Sequence, residues 1–191
     1  MNMKINDICT IRSGHGFRQK LVNDPDGQVK IIQPKNITEQ GNIILNGKKP
    51  LRANVQGLKP LRTGDVLVVN KGRFAAAVFK MAGEDTWIVP SSVLVLTVVN
   101  DKVLPEYIAL FLNSPNGQRL FYRHYEESTV PFISTENLGS MNIPVPDLEQ
   151  QKTIVELYKS FQDFNRLSAR KQELHKLILK HTLKQTEKSS E

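Results

Sequence analysis

The chain has 191 residues, a single Cys and a formal net charge of +7. That length holds one domain with a sizeable core, or one domain plus an appendage. Cys9 alone excludes an internal disulfide framework and fits a reducing cytoplasm. No apolar run approaches the ~18 residues of a membrane span, so no membrane partner is expected. The N-terminus shows no secretory h-region, and one Cys with four His disfavours a structural zinc site.

The charge is uneven. Residues 1–80 hold 14 Lys and Arg against 5 Asp and Glu, residues 81–147 hold 3 against 8, and residues 148–191 hold 9 against 6. A basic first part beside an acidic middle suggests a polyanion partner on one surface. A solubilising excess of Lys explains the same counts equally well.

In chain order, Lys4 to Ile11 reads as a short helical turn or a strand. Ser13-Gly-His-Gly-Phe17 is a loop with Arg12, Arg18 and Lys20 around it. Asn23-Asp-Pro-Asp-Gly27 is a turn, and Val29 to Gln33 a strand. Asn42 to Leu45 is a strand ending at the hairpin dipeptide Asn46-Gly47. Thr63-Gly-Asp65 turns into an apolar strand that ends near Asn70. Lys71-Gly-Arg73 is a basic loop, and Phe74 to Phe79 resumes a strand. Trp87 to Val89 is another, and Ser92 to Val99, almost wholly apolar, is a central one. Pro105 to Leu112 is a helix with Pro in its first turn. Asn113 to Gly117 breaks it, and Gln118 to Tyr125 forms a second short helix. Together these predict an α+β fold: a curled, mostly antiparallel sheet with short helices.

Ile143-Pro-Val-Pro146 cannot lie inside a helix, because each Pro lacks an N–H and disfavours helix at the residue before it. Asp147 then serves as an N-cap, with Gln150 as capping-box partner. No Gly or Pro follows up to residue 191. The sequence therefore divides into a body over 1–146 and a long helical arm over 147–191, with a frayed tail from Glu187. Helical from 148 to about 184, the arm would run roughly 55 Å, too long to pack wholly on one small domain. Ile154, Leu157, Phe161, Phe164 and Leu167 form an apolar stripe, resumed by Leu174, Leu177 and Ile178. Ser168 and Lys171 interrupt it where a strict heptad wants apolar residues, a coiled coil with a stutter. Part of that stripe needs another helix.

No catalytic constellation emerges. Ser13-Gly-His-Gly16 lacks the Lys-Ser/Thr ending of a phosphate-binding loop, although its glycines would let backbone approach a ligand closely. Asn142-Ile-Pro-Val145 lacks the aromatic that an amino-methyltransferase motif stacks on its target base. His124 and His175 read as surface or interface residues. Polyanion binding has more support. Arg12, Arg18 and Lys20 flank one loop, Lys48, Lys49 and Arg52 crowd a second, and Lys71 and Arg73 a third. Such cations neutralise phosphates, and Arg, Asn or Gln can read base edges.

The chain resembles one half of a type I restriction–modification specificity subunit. The resemblance runs through Ile11-Arg-Ser-Gly-His-Gly-Phe17, Leu61-Arg-Thr-Gly-Asp-Val-Leu67 with Lys71-Gly-Arg73, and Val89-Pro-Ser-Ser-Val-Leu94. It continues through Pro105-Glu-Tyr-Ile-Ala-Leu-Phe-Leu-Asn-Ser114, Ser128-Thr129, Ile133-Ser134 and Leu138. Its most specific piece is Ile143-Pro-Val-Pro-Asp-Leu-Glu-Gln-Gln151, a Pro-rich joint into a long helix. The resemblance implies a target recognition domain followed by a spacer helix. In such subunits two copies of the unit usually occur, their helices pack antiparallel, and each domain reads half of a split site in double-stranded DNA. DNA methyltransferase subunits dock on this frame and use S-adenosylmethionine to methylate adenine, and a nuclease subunit joins them. This chain would itself be non-catalytic, bind no cofactor and work in the cytoplasm.

Only one copy is present, with no internal repeat. A natural half-length subunit, a truncated product and a recombination cassette all remain open. The expected DNA-facing set is Arg12, His15, Arg18, Lys20, Lys48, Lys49, Lys71 and Arg73. The expected homodimer or partner interface is Ile154, Leu157, Phe161, Phe164, Leu167, Leu174, Leu177 and Ile178. The competing reading is a non-DNA-binding decoy that regulates a modification complex through its helix. It predicts that charge reversal at Lys71 and Arg73 leaves function untouched.

Overall fold

The computed structural model describes residues 1–17, 22–45, 50–80, 83–125 and 130–188. The strands are Asn2–Lys4 (β1), Cys9–Ser13 (β2), Val29–Ile31 (β3), Leu51–Ala53 (β4), Val66–Val69 (β5), Ala75–Val78 (β6), Thr86–Ile88 (β7), Val93–Val98 (β8) and Asn142–Pro144 (β9). The helices are Ile5–Ile8 (α1), Pro105–Asn113 (α2), Pro115–His124 (α3), Thr135–Ser140 (α4) and Leu148–Lys188 (α5), with a 3-10 turn at Pro34–Asn36. The arrangement is α+β, with mostly antiparallel pairing, short helices and one long C-terminal helix.

The predicted central strand is central. β8 lies inside a four-stranded antiparallel sheet of order β2-β8-β5-β6. Its apolar run is long because both faces are covered. Leu67, Val69, Ala75, Ala77, Val93 and Val95 join Ile32, Ile37, Phe79, Trp87 and Val89 in one buried cluster. Helix α2 packs against β5 and β6. There, Asn113 donates to Ala76 O at 2.7 Å and accepts from Ala76 N at 2.8 Å.

The curled sheet of the sequence reading divides into three pieces. The second is β4-β3-β7, in which β3 pairs antiparallel with β4 but parallel with β7. The third is the pair β1-β9. Asn42 to Leu45, expected as a strand, contributes only an isolated bridge, Ile37 with Ile43. Its Asn46-Gly47 turn lies outside the described residues. The segment Lys4 to Ile11 is both things considered for it, a strand end and helical turn followed by a second strand. The supposed break at Asn113 to Gly117 is one residue wide. Ser114 Oγ caps α3 by accepting from Gly117 N at 3.2 Å, and Pro115 opens the helix.

The Pro-rich joint is extended, as its prolines require. β9 pairs with β1 with Met3 opposite Ile143, and the Tyr107 hydroxyl donates to Pro144 O at 2.7 Å. Burial pushes the Tyr107 phenol pKa up. Asp147 then caps α5, its Oδ1 accepting from Gln150 N at 2.8 Å. The first compact unit extends to Lys152 and the second begins at Thr153. The first turn of α5 thus belongs with the sheet domain, because Gln151 is fully buried there. Among the described residues no helix is long and apolar enough to cross a membrane.

Candidate nucleic-acid interface

Antiparallel neighbours place the end of one strand beside the start of the next. Register sets Ser13 of β2 opposite Leu94, Val69 of β5 opposite Val93, and Ala75 of β6 opposite Val69. The loops 14–17, 70–74 and 90–92 therefore emerge at one end of the four-stranded sheet. Backbone bonds lock them together. His15 N donates to Val89 O at 2.7 Å, Ser91 N to His15 O at 2.9 Å, and Asn70 N to Ser92 O at 3.1 Å. The segment 130–133 closes the cluster: Gly72 N donates to Pro131 O at 2.8 Å and Ile133 N to Asn70 O at 2.9 Å. Loops carried on a rigid sheet are where binding groups usually sit.

Two glycines make this end possible. Gly72 has φ +82°, a conformation that costs other residues strain, and it turns the basic loop. Gly14 is required by close approach. A Cβ there would stand 2.2 Å from Pro90 O and 2.5 Å from Val89 O. Gly14→Ala is expected to lower stability by about 2 kcal/mol or more, because only backbone can yield. Thermal denaturation checks it, and an unchanged midpoint would mean the loops are not held as described.

The structure separates the predicted DNA-facing residues. His15, Lys71 and Arg73 stand together at the loop-bearing end. Lys71 and Arg73 are exposed. His15 is half-buried, its ring edge-on to Phe17 with centroids 4.8 Å apart. Arg73 is partly committed to the fold, donating to Pro34 O at 3.3 Å and Ile37 O at 2.5 Å, with Glu39 3.9 Å away.

Arg12 points elsewhere. It donates to Lys59 O at 3.3 Å and Pro60 O at 2.9 Å and lies 3.8 Å from buried Asp65, which precedes β5 at the opposite end of the sheet. Asp65 also caps its own turn, accepting from Arg62 N at 2.9 Å and from the Thr97 hydroxyl at 2.6 Å. Arg12 therefore braces the fold. Arg52 is likewise engaged, donating to Gly27 O at 3.2 Å with Asp85 3.7 Å away. Arg18, Lys20, Lys48 and Lys49 lie outside the described residues.

The sequence reading missed exposed Ser91, whose loop joins the cluster only through the β8 register. Beneath the surface, the Asn70 side-chain oxygen is buried without a hydrogen-bond partner among the described residues, a polar group that seeks a donor. Among those residues no group of three His, Cys, Asp or Glu could hold a metal.

The arm bears its own candidate surface. Along α5, Ile154, Leu157, Phe161, Phe164 and Leu167 are exposed, as are Leu174, Leu177, Ile178 and Leu179. Asp163–Arg166 and Arg170–Glu173 ion pairs at 3.0 and 2.7 Å line the intervening polar surface. Contiguous exposed apolar residues of this size mark an interaction face.

The chain is a sheet domain with loops gathered at one end, leading through a proline joint into a 41-residue helix. Three solved structures are similar to it in fold. The first comes from a study of complex assembly and conformational transition of the type I R-M system, with a TM-score of 0.69 and 18% identity, covering 95% of this chain and 43% of that one. The HsdS subunit from Thermoanaerobacter tengcongensis gives 0.59 and 17%, covering 85% of this chain and 37% of that one. The S subunit from M. genitalium gives 0.57 and 12%, covering 85% and 39%. The chain thus spans about two fifths of the length of these neighbours. No curated protein matches. Residues 1–176 match the family model described as the type I restriction modification DNA specificity domain, and the chain belongs to that family.

Proposed function

We propose that this chain is the DNA sequence-recognition subunit of a type I restriction–modification system. It directs methyltransferase and nuclease subunits to a split target site and has no catalytic role of its own. The observation that carries the reading is the family match over residues 1–176. The gathering of His15, Lys71 and Arg73 at one end of a rigid sheet supports it. The partner methyltransferase would supply the S-adenosylmethionine site.

The exposed stripe of α5 supports a homodimer, in which two identical readers favour a palindromic split site. An antiparallel pairing of helices about 60 Å long would then space the two readers along the duplex.

The test is duplex DNA titrated with the chain, alone and with its modification subunit. Binding is expected to be stronger in the complex, with methylation by the complex and none by the chain alone. Lys71→Ala should weaken all sequences alike and lower the salt slope by about 1, with stability changed by less than about 0.5 kcal/mol. Arg12→Ala should do the reverse, costing roughly 1–3 kcal/mol of stability by leaving buried Asp65 without its cation while the salt slope stays put. Full activity after charge reversal at Lys71 and Arg73 would favour the decoy reading instead.

A further inference from the structure

We propose that helix α3 extends the DNA-reading surface, with Arg119, Tyr122 and Arg123 making contacts that select the target sequence. The inference rests on the specificity-subunit reading above and adds residues that no motif in the sequence marks.

Helix α3 is fixed beside the basic loop by its inner face. Gln118 Nε2 donates to Phe74 O at 3.3 Å and to Leu112 O at 2.9 Å. The Phe121 ring stacks on Phe74 with centroids 4.7 Å apart and planes 8° apart. Phe74 directly follows Arg73 at the loop-bearing end of the sheet. Beyond the helix the chain returns to the same loop, where Pro131 O accepts from Gly72 N.

The outer face carries the chemistry. Arg119, Tyr122 and Arg123 are spaced i, i+3, i+4, so they share one side of the helix, and all three are exposed. Tyr122 is 63% exposed, yet its ring meets Phe74 edge-on at 6.3 Å and Tyr125 at 6.1 Å. An aromatic already held on two edges loses little freedom when a ligand covers it. Its hydroxyl both donates and accepts, and its ring offers an apolar surface to a thymine methyl. The flanking guanidinium groups can fork onto guanine or phosphate.

Charge favours a polyanion over a protein partner. Arg119 and Arg123 lie on this face and Lys71 and Arg73 on the loop that leads to Phe74 beside it, and among the described residues the one carboxylate paired with any of them is Glu39. The C-terminal carbonyls of α3 would repel phosphate. Arg123 and His124 sit in that last turn, so contact falls to side chains.

The test uses the chain assembled with its modification subunit. Sequencing of methylated DNA first defines the wild-type motif. Duplexes carrying that motif, and versions changed at each base pair, are then titrated by fluorescence anisotropy against Arg119→Ala, Tyr122→Ala, Tyr122→Phe and Arg123→Ala complexes. At least one Ala variant is expected to lose discrimination at one base pair on the order of tenfold or more, with assembly and thermal midpoint unchanged. Because Tyr122→Phe removes only the hydroxyl, it keeps the Tyr122 position testable if Tyr122→Ala disturbs the fold. Discrimination retained within about twofold by all four variants would overturn the proposal. So would weakened assembly with an unaltered motif, which would mark α3 as a protein-docking face. A wild-type complex without sequence preference would sink the specificity-subunit reading and this inference together. Selective wild type with unaltered variants would sink the inference alone.

Discussion

Gln151→Leu is expected to cost the sheet domain about 3–5 kcal/mol. The Gln151 side chain is 0% exposed and is bonded three ways. Its Oε1 accepts from Leu104 N at 2.9 Å, and its Nε2 donates to Lys102 O at 2.9 Å and Pro146 O at 2.8 Å. One amide thus joins the turn entering α2, the proline joint and the first turn of α5. Leucine fills similar space but leaves three backbone groups without partners, at about 1–3 kcal/mol each before any relaxation. For a domain of this size the midpoint should fall by roughly 10 °C. Gln151→Glu should be no better at neutral pH, because a carboxylate can accept from Leu104 but cannot donate to the two carbonyls. Calorimetry on the three proteins decides it. A shift below about 2 °C would mean that water or backbone movement replaces these bonds.

Phe161→Glu with Phe164→Glu is expected to convert the proposed homodimer to monomer. The two rings are 59% and 66% exposed on the helix alone. Burying a Phe side chain contributes about 1.5–3 kcal/mol, and two-fold symmetry counts each ring twice. The pair therefore accounts for roughly 6–12 kcal/mol, enough to raise the dimer dissociation constant by more than about 10,000-fold. Glu is a good helix former, so circular dichroism should report an intact helix, and the sheet domain should melt as before. Sedimentation of both proteins at micromolar concentration is the readout. A wild-type monomer with its helix intact, or a variant that still dimerises, would remove the apolar stripe from the account of assembly.

Local chemistry made some of this fold legible in the sequence. Two prolines at 144 and 146 force an extended joint, and Asp147 before a run free of Gly and Pro announces α5. The apolar run around Val93–Val98 announces a buried strand. Non-local pairing was hidden. Nothing near Val29 indicates a parallel partner at Thr86, and three-residue strands carry too little periodicity to locate. Asn42 to Leu45 has the composition of a strand but forms only one bridge. Helix α3 could have been placed better, since Ser114-Pro115 is a cap followed by a first-turn proline. Helix α4, six residues with a Gly inside, has the Ser134 cap, whose hydroxyl accepts from Asn137 N at 3.1 Å, but no first-turn proline.

The candidate site was legible only by residue type. Sequence marks Arg12 and Lys71 alike as basic groups near loops. Their surroundings diverge because Asp65 and two carbonyls lie within reach of one, while the other stands exposed where four chain segments meet. That difference depends on the register of β2, β8 and β5, which no local pattern encodes.

The most direct test of the central claim is methylome sequencing of cells that express this chain with a cognate modification subunit, beside cells that express the modification subunit alone. The account predicts adenine methylation at one new split motif that appears only when the chain is present, and palindromic if the chain dimerises. The same methylation with and without the chain, or none at all despite assembly of the complex, would contradict it.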